Sequence, residues 1–180
     1  MKLKISSGIL KNSNLLVPKS AKPVKAIVKQ SAFNYLGEAI KNKMIIDLFA
    51  GSGNIGIEAI SRGAKFTTFV EQDYSAYKTI QENLVNLNIE GKAEVIHQDV
   101  LKYLGSCESK YDLIFADPPY TNPSNHFLKT VYMVCKNNSI LIYFNKTGKN
   151  PVVENMKILE TRTFGDSGYS IYKYQNPSSK

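Results

Sequence analysis

The sequence has little of the chemistry that several protein classes require. It contains no tryptophan, two histidines and two cysteines among 180 residues. Cys107 and Cys135 lack the spacing of a metal site and are too few for a disulfide framework. No apolar run approaches the roughly 20 residues of a membrane span, and residues 1–4 lack the apolar core of a signal peptide. These absences predict a cytoplasmic protein without a membrane segment or a metal centre.

Acidic residues are scarce in one part of the chain. Residues 1–43 contain nine lysines and one acid, Glu38, so this segment carries the whole formal net charge of +8 and the remainder is neutral. A basic segment on a neutral body is typical of nucleic-acid-binding proteins, although a solubilising surface has the same composition. Charge alone favours neither interpretation.

The basic segment is predicted to contain a short extended arm or hairpin and then a helix. Pro23 suits the first helical position, and apolar residues recur at helical spacing up to about residue 40. Lysines on this helix would then form a stripe opposite its apolar face. The predicted RNA-binding residues, one on the arm and three on the stripe, are Lys11, Lys22, Lys25 and Lys29.

The rest of the chain alternates apolar strands with helices. The predicted strands are 44–49, 66–70, 93–97, 111–116 and 139–144, and the predicted helices are 55–61, 75–87 and 125–135. This alternation indicates an α/β fold with a parallel sheet covered by helices on both faces. The last two segments, 156–163 and 169–174, have no helix between them and should pair antiparallel. We expect a basic extension (1–43), a catalytic domain (44–176) and a tail (177–180).

Four carboxylates stand at the ends of consecutive predicted strands or in the turns that follow them. They are Asp47, Glu71, Asp99 and Asp117. Ligands of open parallel sheets bind outside the carboxyl ends of the strands. Four acids in consecutive units therefore predict the lining of one crevice.

A glycine-rich turn follows the first strand of the body. Gly51, Gly53 and Gly56 match the pattern G-x-G-x-x-G, and Glu71 lies 20 residues after Gly51, where a carboxylate can accept the hydroxyls of a ribose. A dinucleotide site has the same pattern, but Asp47 would repel a pyrophosphate and attract an ammonium group. The sequence therefore favours S-adenosylmethionine, which has an adenosine and an amino acid but no phosphate.

The predicted cofactor site extends beyond the glycine turn. Asp99 is expected to accept a hydrogen bond from the adenine amino group, to cap the next helix, or to do both, while the backbone of Val100 meets the adenine ring. The predicted cofactor-binding residues are Asp47, Ala50, Gly51, Ser52, Gly53, Glu71, Gln72, Asp99 and Val100.

The tetrapeptide Asp117-Pro118-Pro119-Tyr120 follows the predicted strand 111–116. Its two prolines fix the turn and remove two N–H donors, which leaves carbonyl groups as acceptors. A carboxylate and a carbonyl can each accept one N–H of an exocyclic amine and thereby aim its lone pair at a methyl group. The ring of Tyr120 can stack on the target base. These four residues are predicted to be catalytic, although a rigid structural turn would use the same residues.

With these motifs the chain resembles class I S-adenosylmethionine-dependent methyltransferases and, more narrowly, the RsmD-like family of bacterial 16S rRNA guanine-N2 methyltransferases. The resemblance covers nearly the whole chain and rests on residues 8–36, 47–59, 69–73, 117–120 and 164–166. It implies a Rossmann-like, mostly parallel seven-stranded sheet with an antiparallel C-terminal hairpin. It also implies methyl transfer to a guanine N2 group and, as partner, ribosomal RNA or an assembling small ribosomal subunit.

The basic residues of the helix depart from the family pattern. Lys22-Pro23-Val24 stands where the family usually has Arg-Pro-Thr, and Lys29-Gln30 stands where it often has Arg-Glu. Lysine keeps the attraction to phosphate but lacks the planar fork of arginine, so it does not offer the same oriented contacts to RNA or cofactor.

Other functions share some of these features. A DNA adenine-N6 or another RNA amino methyltransferase would use the same tetrapeptide, although no separate DNA-recognition domain is visible. A nucleotide-dependent oxidoreductase would use the glycine turn, but the two histidines form no clear hydride-transfer site. A non-catalytic RNA-binding module would not need an intact cofactor crevice. We expect a monomer.

Overall fold

The computed structural model describes residues 3–19, 23–119, 125–146 and 150–176. An arm (residues 3–19) opens the described chain, and its two short strands, β1 (Leu3–Lys4) and β2 (Asn14–Leu15), pair antiparallel around a turn. This pairing confirms the predicted hairpin.

A seven-stranded sheet follows, in the order β5-β4-β3-β6-β7-β9-β8. Its strands are β3 (Met44–Leu48), β4 (Phe66–Glu71), β5 (Ala93–His97), β6 (Tyr111–Ala116), β7 (Cys135–Lys146), β8 (Met156–Phe164) and β9 (Ser167–Tyr174). The first five strands pair in parallel, and β9 pairs antiparallel with both β7 and β8. The predicted mostly parallel sheet with an antiparallel C-terminal hairpin is therefore confirmed.

Helices cover both faces of the sheet, because its central strands are apolar on both sides. The helices α1 (Ala26–Leu36), α2 (Asn54–Ser61) and α3 (Tyr74–Asn86) pack on one face. The helix α4 (Val100–Ser106) packs on the other face with two short 3₁₀-helices. In β3 the consecutive residues Ile45 and Ile46 belong to the cores of opposite faces, as the alternation of a strand requires.

Two predicted helices differ from the structure. The segment 125–135 forms two 3₁₀-helices, Asn125–Lys129 and Val131–Val134, and not one α-helix. Its β-branched residues weaken an α-helix but still permit the apolar positions to reach the core. In addition, α1 begins at Ala26 and not at Pro23, because its first intrahelical bonds run from the N–H groups of residues 28 and 29 to the carbonyl of Lys25.

The arm packs against the body. Ile5 and Leu15 are buried in one core cluster with residues of α2 and α3. Gly8 lies against the end of α2, where a Cβ atom would come within 1.9 Å of the Ser61 carbonyl oxygen. The boundary at residue 43 stays a prediction, and the predicted tail lies outside the described residues. No helix within the described ranges is long and apolar enough to cross a membrane.

Candidate active site

The glycine-rich turn connects β3 to α2 through three residues with left-handed backbone. Phe49, Gly51 and Gly53 have φ angles of 62°, 57° and 75°. Glycine adopts this conformation freely, whereas for Phe49 it costs on the order of 1 kcal/mol. The ring of Phe49 packs edge-on against Phe127, with centroids 5.2 Å apart. The turn thus presents backbone groups at the carboxyl end of β3.

The third glycine of the motif, Gly56, has a packing role. A Cβ atom at this position would lie 2.2 Å from the ring of Phe69 on β4, so only glycine allows α2 to lie so close to the sheet. The Gly56 N–H donates to Asp47 Oδ2 over 2.8 Å. This hydrogen bond therefore fixes the start of α2 to Asp47, near the carboxyl end of β3.

Asp47 is buried, with 1% of its surface exposed. Burial raises the pKa of this carboxyl well above its usual value, and the charges of Asp117 and Glu71 raise it further, while the Gly56 N–H opposes the shift. Oδ1 has no hydrogen-bond partner among the residues that the structure describes. An orphaned buried carboxylate oxygen close to two further acids suits a cation, which fits the charged methionine portion of S-adenosylmethionine.

Glu71, at the end of β4, holds the turn and leaves room for a ligand. Its Oε2 accepts from the Gly51 N–H and its Oε1 accepts from the Asp73 N–H, both over 2.8 Å. A carboxylate has about four acceptor positions, so two remain for ribose hydroxyls. The ribose role of Glu71 stays a prediction, whereas its bond to the turn is a contact that the sequence did not predict.

Asp99 caps the N-terminus of α4, which confirms one of its two predicted roles. Its Oδ1 accepts from the N–H groups of Leu101 and Lys102 over 3.0 and 3.1 Å. The preceding Gln98 N–H donates to the Glu71 carbonyl over 3.1 Å, which places Asp99 beside the end of β4. Val100 is buried.

The other predicted cofactor residues lie around the same edge. Ala50 and Ser52 are buried in the turn, and Gln72 is exposed directly after Glu71. The Ser52 carbonyl accepts from Asn83 Nδ2 over 3.1 Å. Asn83 also bonds both backbone groups of Leu16 in the arm, over 2.8 and 3.0 Å. This buried side chain, which the sequence did not identify, ties the arm to the glycine-rich turn (residues 49–53), called here the cofactor turn.

Asp117 follows β6 at the same edge of the sheet. Its charge raises the pKa of Asp47 and, after the larger effect of burial, the pKa of Tyr143. Asp117 and Glu71 therefore both lie within electrostatic range of Asp47, and these three residues are called here the carboxylate cluster. Pro118 is partly buried and Pro119 is exposed, whereas Tyr120 lies outside the described residues. Tyr143, paired with Ala116 in the register of β7, was missed because its position depends on that pairing.

The predicted lysine stripe is wrong at Lys29. This side chain is only 3% exposed, and its Nζ lies 2.7 Å from Asn54 Oδ1 and 2.9 Å from Glu58 Oε2. Burial lowers the pKa of Lys29, and Glu58 opposes that shift. Lys29 therefore joins α1 to the first turn of α2 and is not available to phosphate. Lys25 is exposed and pairs with Asp166, and Lys22 lies outside the described residues.

Lys11 is exposed in the turn of the arm. This turn lies at the C-terminal end of α2, away from the glycine-rich turn at the start of that helix, because the Ile9 N–H donates to the Ser61 carbonyl over 2.9 Å. A cleft of about 650 Å³ lies here between the arm, α1 and Arg62. A second cleft, of about 470 Å³, lies between Cys107 and Cys135. Neither cleft contains the carboxylate cluster.

The strand order, the glycine turn after β3 and the acid at the end of β4 define a Rossmann-like class I methyltransferase. The methyl donor of this class is S-adenosylmethionine. Three clustered carboxylates disfavour the pyrophosphate of a dinucleotide, so the oxidoreductase alternative has no support at this site.

Similarity to known proteins narrows the class to a family. A family model described as conserved hypothetical protein 95 matches residues 3–173. Ribosomal RNA small subunit methyltransferase D of Haemophilus influenzae is 32% identical over 185 residues, covering 95% of this chain and 93% of that protein. The chain therefore belongs to the ribosomal RNA small subunit methyltransferase D family.

Solved structures share the fold. The structure of yhhF from Escherichia coli aligns with a TM-score of 0.87 at 24% identity, covering 97% of this chain and 99% of that one. The 16S rRNA N2 methyltransferase of Thermus thermophilus, solved with AdoMet and guanosine, aligns with a TM-score of 0.75 at 17% identity, covering 97% of this chain and 50% of that one. These similarities confirm the class I methyltransferase fold.

Proposed function

We propose that this protein transfers the methyl group of S-adenosylmethionine to the exocyclic N2 amino group of a guanine in 16S rRNA of the small ribosomal subunit. The observation that carries the proposal is the position of Asp117-Pro118-Pro119 directly after β6, where Asp117 lies within electrostatic range of Asp47 at the carboxyl end of β3. A relative is named ribosomal RNA small subunit methyltransferase D, and that name supports ribosomal RNA as the substrate.

Asp117 and the turn that follows it can hold an amino group by both of its hydrogens. The carboxylate accepts one N–H, and a backbone carbonyl of the proline turn accepts the other, since prolines supply no competing donors. Held in this way, the nitrogen lone pair leaves its conjugation with the purine ring and points along a single direction. Positioning of this kind supplies much of the rate enhancement in transfer between two bound groups.

When bound, S-adenosylmethionine would supply a methyl group on a positively charged sulfur, which would leave as a neutral thioether once the guanine nitrogen holds the methyl group. The methylated nitrogen must then lose one proton, and Asp117 would accept this proton or pass it to water. The carboxylate of Asp117 would stabilise the positive charge that develops on the attacked nitrogen.

The arm offers exposed lysines to RNA. Lys29 is buried in a pair with Glu58, whereas Lys25 and Lys41 form exposed pairs with Asp166 and Glu38. Lys4, Lys11 and Lys19 are exposed on the arm. Because Leu16 is tied through Asn83 to the cofactor turn, the segment leading to Lys19 passes beside that turn. We propose that this end of the arm contacts the phosphates of RNA near the target base.

The test is a labelling experiment with tritiated S-adenosylmethionine. Small ribosomal subunits, naked ribosomal RNA, transfer RNA and DNA are offered separately, and the products are digested to nucleosides. We expect label in N2-methylguanosine from the small subunit or its RNA. Label only in another base or in DNA would contradict the proposed target.

A matched pair of variants tests the catalytic role. Asp117→Ala removes the acceptor of the amine N–H and should abolish transfer while cofactor binding remains. Asp112→Ala is the control, because Asp112 lies on β6, which Asp117 follows, but bonds Lys136 and the Met44 N–H, over 2.9 and 2.8 Å. Equal loss of cofactor binding and of transfer in Asp117→Ala would show that this residue holds the cofactor and not the amine.

A further inference from the structure

Three aromatic side chains form a cluster on the surface where β4 and β5 end. The cluster, called here the aromatic platform, consists of Tyr74 and Tyr77 on α3 and His97 at the end of β5. The His97 ring stacks on Tyr77 with centroids 5.1 Å apart, and Tyr74 meets it edge-on at 5.5 Å. Tyr74 is 60% exposed, and His97 is exposed as well.

Hydrogen bonds hold two of the three rings. Tyr77 Oη accepts from Gln81 Nε2 over 2.9 Å. His97 Nε2 lies 3.0 Å from the carbonyl oxygen of Gln72, which can only accept, so this nitrogen carries the proton. Tyr74 packs against both of these rings.

A lysine lies over two of the rings. Lys78 Nζ is 5.7 Å from the centroid of the Tyr74 ring and 5.6 Å from that of Tyr77. Exposed aromatic faces accompanied by a cation are the combination with which proteins hold unpaired bases and the adjoining phosphate.

Helix packing does not account for the exposed ring of Tyr74. The buried residues of α3 are Ala76, Ile80, Asn83 and Leu84. These anchor the helix to the sheet and to the arm without Tyr74. Tyr74 is not a singly exposed side chain, because it belongs to the aromatic platform, and a contiguous exposed patch of this kind marks a candidate binding surface.

We propose that the aromatic platform stacks an unpaired RNA base that is not the base to be methylated, with Lys78 near its phosphate. The inference rests on the proposed function, because it takes RNA as the substrate. His97 ends β5 and Asp117 follows β6, with β4 and β3 between them. Three strand spacings of about 4.8 Å separate the platform from Asp117 by roughly 14 Å. The stacked base is therefore a neighbour of the target in the folded RNA.

Binding of a short single-stranded oligoribonucleotide tests the platform without any turnover. Tyr74→Ala should weaken this binding roughly tenfold, the usual effect of losing one stacked base, whereas Tyr74→Phe should retain it. Tyr35→Ala is the control, since Tyr35 on α1 is also partly exposed and also lies near a cation, Arg162 at 5.8 Å. Lys78→Gln should lower the slope of log affinity against log salt by about 0.7.

Binding of S-adenosylhomocysteine to the same variants separates the alternatives. We expect it to be unchanged in Tyr74→Ala. Weaker binding of this cofactor product would show that the platform covers the adenine, and unchanged RNA binding would show that the rings only pack on one another. Either outcome overturns the proposal. Because no methyl transfer is measured, loss of the platform effect and failure of the proposed reaction are distinguishable.

Discussion

The buried charge network between α1, α2 and the arm allows a quantitative test. Glu58 is fully buried and accepts four hydrogen bonds, two from Ser6 and one each from Lys29 and Arg62, over 2.7 to 2.9 Å. Glu58→Gln leaves Lys29 inside the protein without its charged partner. Breaking one side of a buried ion pair costs about 3–5 kcal/mol. We expect the free energy of unfolding to fall by that amount.

The opposite side of the pair should cost less. Lys29→Met removes one charge, but Glu58 keeps Arg62 and Ser6 as donors, so we expect a loss of about 1–3 kcal/mol. The double variant should lose less than the sum of the two single variants, because neither charge is then left alone. Urea denaturation of the four proteins measures all terms. Glu38→Gln, which breaks the exposed pair with Lys41, is the control and should have little effect. A loss in Glu58→Gln no larger than in this control would refute the reasoning.

Three further predictions concern the cofactor turn. Gly56→Ala should lower the free energy of unfolding by about 1–3 kcal/mol through overpacking against β4, whereas Gly91→Ala, with open space around it, should not; thermal denaturation compares them. Because the pKa of Asp47 is raised in the folded state, this group stabilises the protein most at low pH, and its contribution is lost as pH rises from the usual carboxyl pKa to the raised one. Asp47→Asn should remove this part of the pH dependence of stability. Urea midpoints of both proteins at several pH values measure it, and parallel changes in the two proteins would contradict the prediction. Asn83→Leu should weaken binding of S-adenosylhomocysteine, because it releases the arm from the cofactor turn, while Asn86→Leu on the exposed side of the same helix should not; equal calorimetric affinities would show that the tie is unimportant.

Much of the fold could be predicted because its signals are local. The strands 93–97 and 111–116 have the predicted bounds, since short apolar runs between turn residues are sufficient to define them. The glycine turn and the acid of β4 follow from spacing alone, because both ends of the pattern lie within one strand–helix–strand unit. The connection 125–135 was predicted less well, because its short helices depend on how its apolar residues meet the sheet.

The site was less predictable where partners lie far apart in the chain. Lys29 has the spacing of a solvent-facing lysine, and only the packing of α2 shows that Glu58 receives it in the interior. Tyr143 comes near Asp117 because β7 pairs with β6. His97 has the sequence of an ordinary strand end, and its stacking on α3 depends on the register of β5 with β4. Charge and periodicity contain no information about such pairings.

The docking of the arm also has a consequence for the order in which the chain folds. Its anchoring hydrogen bonds join residues that are 52 and 67 positions apart, from Ser6 to Glu58 and from Leu16 to Asn83. Contacts of such long sequence separation form late, since the intervening chain must first be ordered. The arm, which is made before α2 and α3, therefore reaches its native position only after them. Until α3 has formed, the lysines of the arm belong to a loose basic segment.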